Sequence, residues 1–520
     1  MADGGLGAPA ARRAAGARPF PGQASPAYTS PVARESPQLS PHRSSSPTPS
    51  KGQLLDLTVT GLAFGGKGIG RVGDFVVFVT GAVPGDVARV QLNKVKKRYA
   101  EARLEQLLVP SPRRVAPRCP SFGTCGGCSW QNLDYQVQLR YKAQQVRESL
   151  EHLGGLRDFE LRPILGMASP WRYRNRVDFA VGEGGEGPVV GFRPSGRWDT
   201  VIPLTECHLL HPLMEKVRGT IEEWLRETDL QPWNPRTHTG EVRHLVVRTA
   251  KAGAELLVSL VTAPGVRPEE LGLVERLRET YPQLVGVTHA VNPGRAELST
   301  GLETTTLWGR PFLLEQVAGI TLKISVNAFF QTNTLMAHAL YELAAQEAGL
   351  SLSPSGCLGS PDEGPVIWDL YSGVGSIGLV LARKARGVLG IEATPSAVRD
   401  AEENALLNSL TNVRFVQGDV RRVLREAAEG RRSLPQGLER PDAIVVDPPR
   451  AGLHRRVVDR IGELGTPRIV YVSCNPSTMA PNVAQLQQYG YRIERVTPVD
   501  MFPHTPHVEC VGLLTKKAGP

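Results

Sequence analysis

From residue 366 onward, short apolar runs rich in Val and Ile alternate with polar turns and with stretches whose apolar positions recur every three or four residues. The runs at 366–371, 387–392, 412–416, 442–447, 467–473, 491–499 and 508–514 read as strands. Helical patterns lie between the first five of them, and another spans 476–488; none separates the last two runs. Runs this uniformly apolar are buried on both faces. The pattern predicts a parallel sheet wrapped by helices and ending in an antiparallel hairpin.

Upstream the period changes. Residues 51–110 hold shorter alternating runs, at 55–59, 75–79 and 86–90, with glycine-rich turns at 65–70 and 81–85. Short strands at this spacing predict a small barrel. Residues 111–340 mix helical stretches (214–226, 268–280) with strands (244–248, 255–260) and read as a smaller α/β region. A Ser, Pro and Gly-rich linker follows at 351–365. Residues 1–50 bury too little apolar surface to order themselves and read as a disordered tail rather than a targeting helix, which their prolines and glycines disfavour. The expected division is 1–50 tail, 51–110 barrel, 111–340 central domain and 341–520 sheet domain.

Composition narrows the class. With 41% hydrophobic and 21% charged residues, most of the 520-residue chain can fold around cores. The net charge of +9 is compatible with a nucleic-acid partner without requiring one. The first fifty residues carry no apolar segment of signal-peptide length, and no later stretch is long and uncharged enough to span a bilayer. A cytoplasmic protein with no membrane association is expected, acting as a monomer. Seven cysteines in this length do not resemble a secreted disulfide framework.

Chemistry-bearing residues fall at strand ends. Val470 to Ser473 ends in Cys474, followed by Asn475-Pro476, which stops the strand and exposes the thiol. The run 443–446 ends in Asp447-Pro448-Pro449-Arg450. In open α/β sheets ligands bind at the carboxyl ends of the strands, so both groups face substrate. Cys119, Cys125 and Cys128 are spaced C-x5-C-x2-C, with Gly126-Gly127 allowing a tight turn between the last two. Cys207 is a candidate fourth ligand, with His208 and His211 as competitors; the residue types suit an iron–sulfur cluster or a structural zinc. Lys94, Lys96, Lys97 and Arg98 form a cationic run after the barrel strands, suited to a phosphate backbone. The period-two spacing of Arg172, Arg174 and Arg176 predicts three cations on one strand face.

Several of these motifs resemble known families. The Gly-Lys-Gly-Ile-Gly-Arg pattern at 66–71 looks like the TRAM domain, an OB-like module attached to RNA-modifying enzymes. Asp369 to Gly375 looks like the donor-facing turn of an S-adenosylmethionine-dependent methyltransferase. Together with Asn327 to Asn333, Asp447 to Arg450, Ser473 to Pro476 and Pro506 to Glu509, taken in order, the chain from 51 to 520 resembles the TRAM-containing RNA 5-methyluridine methyltransferases. That resemblance implies a multidomain α/β protein: an N-terminal OB-like barrel, a central α/β domain with a [4Fe-4S] cluster on Cys119, Cys125, Cys128 and Cys207, and a C-terminal Rossmann-like class I methyltransferase domain. It places the nucleophile on Cys474 and the general base on Glu509. Its donor-binding positions fall on Gln331, Tyr371, Gly373, Ser376, Glu392, Asp419 and Asp447. The family often has an amide where Ser376 stands, and the 351–365 insertion is not a family feature.

The implied reaction is methylation of uridine C5 in RNA through a covalent cysteine–C6 adduct, with S-adenosylmethionine as donor. Large-subunit (23S) ribosomal RNA is the preferred substrate and the transfer RNA T-loop uridine the alternative. Rival readings fit less well. RNA cytosine-5 methyltransferases often carry a second cysteine after the proline of the 447–450 motif, which has none here. Radical methylthiotransferases use C-x3-C-x2-C. A non-catalytic RNA-binding module has no use for a nucleophile and a base on one sheet.

Overall fold

The computed structural model describes residues 49–350 and 364–517. The expected tail and most of the 351–365 linker therefore lie outside the described residues. Five strands, β1 (Leu54–Leu62), β2 (Gly68–Val72), β3 (Phe75–Thr80), β4 (Val87–Val95) and β5 (Tyr99–Val109), close a barrel in the order β1-β2-β3-β5-β4. Alternate residues, among them Leu57, Val59, Val77, Val79, Ala88, Val90 and Leu92, fill its interior. The glycine stretch read as a turn is divided. Gly65 and Gly66 do turn, with φ of +92° and +95°, but Gly68 and Gly70 lie in β2 and face inward. A Cβ there would come within 2.9 Å of the Ala82 carbonyl oxygen or 2.6 Å of Leu57. The cationic run sits at the β4–β5 turn. Lys94 pairs with Glu101 at 3.0 Å, while Lys96, Lys97 and Arg98 are exposed and make no ion pair among the described residues.

Helix α1 (Tyr135–Glu148) is N-capped by Asp134, whose carboxylate accepts from the Val137 amide. The short strand β6 (Glu160–Leu161) follows. Strands β7 (Arg176–Gly184), β8 (Gly187–Gly191), β9 (Val242–Ala250), β10 (Glu255–Thr262), β11 (Leu284–Val291) and β12 (Thr304–Gly309) form a six-stranded sheet, ordered β12-β11-β10-β9-β7-β8. Helices α2 (Pro212–Glu227) and α3 (Leu273–Thr280) bury apolar stripes against it, Met214, Val217, Ile221 and Leu277 all being below 1% exposed. A hairpin of β13 (Phe312–Val317) and β14 (Ile320–Ser325) leads to α4 (Thr334–Glu347), which runs through the expected boundary at 340.

The last region alternates β15 (Val366–Leu370), α5 (Ser376–Ala382), β16 (Gly387–Glu392), α6 (Pro395–Leu407), β17 (Val413–Gln417), α7 (Val420–Ala428), β18 (Ala443–Val446), α8 (Arg455–Leu464), β19 (Arg468–Ser473), α9 (Pro476–Gln487), β20 (Tyr491–Val499) and β21 (Glu509–Lys516). The sheet order is β17-β16-β15-β18-β19-β21-β20-β6. Strands β15 to β19 are parallel, as their apolar runs predict. The terminal hairpin is present, but β21 inserts between β19 and β20 and is antiparallel to both. This brings the start of β21 beside the end of β19. The edge strand β6 comes from the central region, pairing Glu160 with Arg495 and Leu161 with Val496. One apolar core also joins the two regions, packing Met167, Tyr173 and Leu209 with residues of α4, β19 and β21.

The arginine stretch 172–176 is not a strand face. Arg172 has φ of +56° and its guanidinium holds Glu206 and the Cys207 and Leu210 carbonyls. Arg174 borders the cysteine cavity described below, and Arg176 pairs with Asp178 at 2.7 Å. Local partners hold Arg172 and Arg176, which removes them as free cations for RNA. Among the described residues no helix is long and apolar enough to cross a membrane.

Candidate active site and cysteine cavity

The carboxyl ends of β15, β16, β18 and β19 lie along one edge of the sheet, where β21 starts beside the end of β19. Ser473 pairs with Cys510, so Cys474 lies opposite Glu509 one step along the register. Asn475 caps α9, accepting from the Ser477 amide at 3.1 Å, and Pro476 occupies its first turn. The Asn-Pro pair therefore ends the strand by starting a helix, and leaves Cys474 half-buried at that helix's N-terminus. Glu509 is only 2% exposed. Burial, then the charge of Asp447, pushes its carboxyl up to about 8, against a smaller opposing effect from Arg450. Burial also pushes the Cys474 thiol up to about 11, with Glu509 and Asp447 adding to the shift and Arg450 opposing it. The neighbourhood of the thiol is therefore acidic, with Arg450 as its cation, rather than broadly cationic.

The donor-facing turn follows β15. Tyr371, Gly373 and Gly375 have φ of +67°, +55° and +82°. A Cβ at Gly375 would come within 2.9 Å of the Phe415 ring, so a larger residue fails there on space as well as conformation. Glu392, at the end of β16, accepts from the amides of Gly373 at 3.0 Å and Thr394 at 2.7 Å. Asp419 caps α7 through the Arg422 amide and is exposed. Burial pushes the Tyr371 phenol up to about 12, with the carboxylates of Asp419 and Glu392 adding to the shift. Gln331 is buried in the loop before α4. The structure thus gathers Gly373, Tyr371, Glu392 and Asp419 on one side and Asp447, Cys474 and Glu509 on the other.

A further acid, Asp369 of β15, is buried and feels the charges of Asp447 and Glu392. Asp369 accepts from the Gly378 amide at 2.8 Å through one oxygen; the other has no partner among the described residues. Burial and Asp447 push Asp369 up to about 8, and burial pushes Asp447, which keeps some exposure, to about 7. Sequence reading missed Tyr341 here. Tyr341 is 2% exposed; burial raises its phenol, and the carboxyls of Asp447, Asp369 and Glu509 add to the shift. The signal was weak, because Tyr341 sits in an otherwise apolar helix. Arg450 was read only as part of a motif.

Cys119, Cys125, Cys128 and Cys207 line one cavity of about 490 Å³. The loop carrying Cys207 is fixed by Glu215, which accepts from the Cys207 amide at 3.0 Å, and by Arg172. Gln131 accepts from the Cys119 amide at 3.1 Å and reaches the Cys128 sulfur at 3.3 Å. Gly126 packs against the Arg193 carbonyl, and the Gly127 amide reaches the Cys125 sulfur at 3.4 Å. Neither glycine has positive φ, and a Cβ at either would meet its neighbours only at ordinary contact distance, so neither an unusual turn nor lack of space requires glycine there. Burial pushes the thiols of Cys128 and Cys207 up to about 12 and 11. His208 and His211 do not line the cavity: His208 meets the Arg118 carbonyl, and His211 caps α2. Among the described residues no three His, Cys, Asp or Glu side chains converge on a point fit for one metal ion; the four thiols stand around the cavity instead.

Comparison with known proteins agrees with this arrangement. A tRNA (uracil-5-)-methyltransferase family model matches residues 319–517, and a TRAM domain model matches 50–104. An uncharacterized RNA methyltransferase of Halalkalibacterium halodurans is 36% identical over 467 residues, 90% of this chain and 98% of the relative. Another, from Nitratidesulfovibrio vulgaris, is 38% identical over 469 residues, covering 90% and 97%. The chain belongs to the RNA (uracil-5-)-methyltransferase family. Among solved structures, the Pyrococcus abyssi tRNA (uracil-54, C5)-methyltransferase in complex with S-adenosyl-L-homocysteine is similar, with a TM-score of 0.68 and 28% identity over 88% of this chain and 99% of that one. As an S-adenosylmethionine-dependent RNA methyltransferase with an N-terminal TRAM barrel, the protein has its two family matches on the barrel and on the sheet region that carries Cys474 and Glu509.

Proposed function

We infer that the protein methylates uridine C5 in RNA through a covalent adduct on Cys474, with Glu509 as the base. The β19–β21 register carries this reading, because it sets a thiol opposite a carboxyl at the open end of the sheet. The Cys474 sulfur adds to C6 of the uracil, which makes C5 nucleophilic. The bound donor supplies an electrophilic methyl on a cationic sulfur. Glu509 then takes the C5 proton, the C6–S bond breaks, and the sulfur leaves as the thiolate. The target base must be flipped from any stack to enter.

The residues fit the donor. Gln331, Tyr371, Gly373, Ser376, Glu392, Asp419 and Asp447 would hold it, Glu392 at the strand end where a ribose is bound in such sheets. Asp369, Asp447 and Glu509 all have raised proton affinity, with Arg450 opposing the shift at Glu509 alone, and a sulfonium would add positive charge beside them. Carboxyls whose folded pKa values are raised to about 7 or 8 cost stability as pH rises from the unfolded value toward those figures, and a bound cation reverses that cost. Donor binding should therefore release protons. Affinity for S-adenosylmethionine should rise between pH 6 and 8 by up to about tenfold per unit for each proton released, and that for the neutral thioether product much less. Calorimetry in buffers of different ionisation enthalpy checks this, and equal pH dependence for the two ligands would refute it.

The family resemblance assigns a [4Fe-4S] cluster to Cys119, Cys125, Cys128 and Cys207, and the four line one cavity. Protein purified without oxygen should contain about four iron and four sulfide per chain, and Cys207→Ser should lose them as readily as Cys125→Ser. Stoichiometric zinc without iron would contradict the cluster. For the RNA path, Lys96, Lys97 and Arg98 are the free cations of the barrel turn. Replacing all three by Ala should reduce the log–log salt slope of RNA affinity by about 2 to 3, whereas a solvated loop leaves it unchanged.

Large-subunit ribosomal RNA is the preferred substrate, supported by the cysteine cavity and TRAM barrel occurring together. The transfer RNA T-loop is a second reading, favoured by the likeness to the Pyrococcus abyssi enzyme. Mapping 5-methyluridine in both RNAs from a strain lacking the gene tests the two. Loss from ribosomal RNA alone supports the first, and loss from transfer RNA alone supports the second.

A further inference from the structure

Nine residues, 500–508, connect β20 to β21 and deliver Glu509 to the site. Four successive carbonyls of this connection are each held from elsewhere. The Asn333 amide donates to Met501 at 3.0 Å, the Lys142 ammonium to Phe502 at 3.0 Å, and the Tyr173 hydroxyl to Pro503 at 3.1 Å. The amides of Ser129 and Trp130, directly after Cys128, both donate to His504, at 3.0 and 3.1 Å.

Side chains are gripped as well. Tyr135, Gln138 and Lys142 lie on one face of α1, at spacings of three and four. Tyr135 and Lys142 bind the two oxygens of Asp500 at 2.8 and 2.5 Å, and Lys142 and Asp500 are both fully buried. Gln138 accepts from the His504 amide at 3.0 Å and contacts its ring nitrogen at 3.2 Å. His504 sits at φ of +64°, a conformation that a β-carbon disfavours, and its ring stacks on Trp171 at 3.9 Å. Arg118, next to Cys119, covers the other part of the Trp171 surface at 4.7 Å.

We propose that α1 and the cysteine-bearing segments form a clamp whose task is to set the position of Glu509, with Gln138 and Tyr173 as positioning residues. A connection needed only to join two strands does not require bonds at four successive carbonyls or a buried ion pair. Four residues separate His504 from Glu509, so the fixed left-handed turn at His504 sets where β21 begins. The clamp also gives the cysteine cavity a part in catalysis, since Cys128 directly precedes the two residues whose amides hold His504, and Cys119 follows Arg118, which packs on the Trp171 ring that stacks on His504.

The proposal rests on Glu509 being the base, and the test separates the two. Single-turnover reactions on uridine-containing RNA give methyl-transfer and adduct-resolution rates separately. Tyr173→Phe removes one bond without changing shape, and Gln138→Leu removes several. The clamp predicts resolution slower by about fivefold in Tyr173→Phe and by about 10- to 100-fold in Gln138→Leu. Methyl transfer should stay within about twofold in Tyr173→Phe, and adduct should accumulate on denaturing gels. Equal loss of both rates, or unchanged resolution, overturns the clamp. Should Gln138→Leu fail to fold, Tyr173→Phe decides alone. Glu509→Gln serves as the control. If it resolves normally, the base assignment fails and the clamp with it. If it alone traps adduct, the base stands and the clamp fails.

Discussion

Cys474→Ala should lose methyl transfer by at least about 10⁴-fold, the scale seen when a nucleophile is removed, while still binding the donor. The alanine keeps the strand end and the cap of α9, because Asn475 makes its bonds through its own side chain and backbone. What it removes is the sulfur that must add to C6. RNA containing 5-fluorouridine should form a denaturation-resistant adduct with the native chain and none with the variant, since fluorine cannot leave as the C5 proton does. The acidic surroundings sharpen the expectation. With its proton held up to about 11, Cys474 is a thiol in the resting protein. It becomes reactive when substrate and a cationic donor have entered, so adduct formation should require the donor or a neutralised pocket. Turnover by the alanine variant within about a hundredfold of native would remove Cys474 from the reaction.

How much of this could be read from the chain depends on the physics of each element. The parallel strands were legible because burial on both faces leaves no polar alternation to confuse them, and the runs at 442–447 and 467–473 match β18 and β19 closely. The insertion of β21 between β19 and β20 was not legible, since a hairpin pattern is silent on which arm pairs with the older sheet. Strand β2 was hidden because its inward positions are glycines, chosen for lack of space rather than for turning. Strand β6 has two residues, too few for any period. At the site, Cys474 and Asp447 were visible as strand-end groups, and Glu392 entered through the family resemblance. Tyr341 and the clamp on 500–508 were not, because their meaning lies in contacts between residues hundreds of positions apart, such as Gln138 with His504. The arginines at 172–176 show the opposite error, a true spacing with a false backbone.

Glu509→Gln should leave methyl transfer near native and slow resolution of the methylated adduct by about 10² to 10⁴-fold, the usual contribution of a general base. The amide has the shape of the acid but cannot accept the C5 proton, and the C6–S bond cannot break until that proton leaves. Protein linked to methylated RNA should then accumulate on denaturing gels from natural, unfluorinated substrate. The electrostatics explain why a carboxyl serves. Buried beside Asp447, Glu509 has its proton affinity raised to about 8, so it is a stronger base than a free carboxylate. A cationic donor holds it ionised while bound, and once the methyl has moved the positive charge is gone and the carboxylate's affinity for a proton rises as one becomes available. In the native protein the resolution rate should therefore climb with pH and level off near 8, the ionised base being the active form. The Gln variant should show no such limb. Normal turnover without trapped adduct in that variant would mean that another group takes the proton. Asp447, largely buried at the end of β18 and raised to about 7, would then be the next to replace.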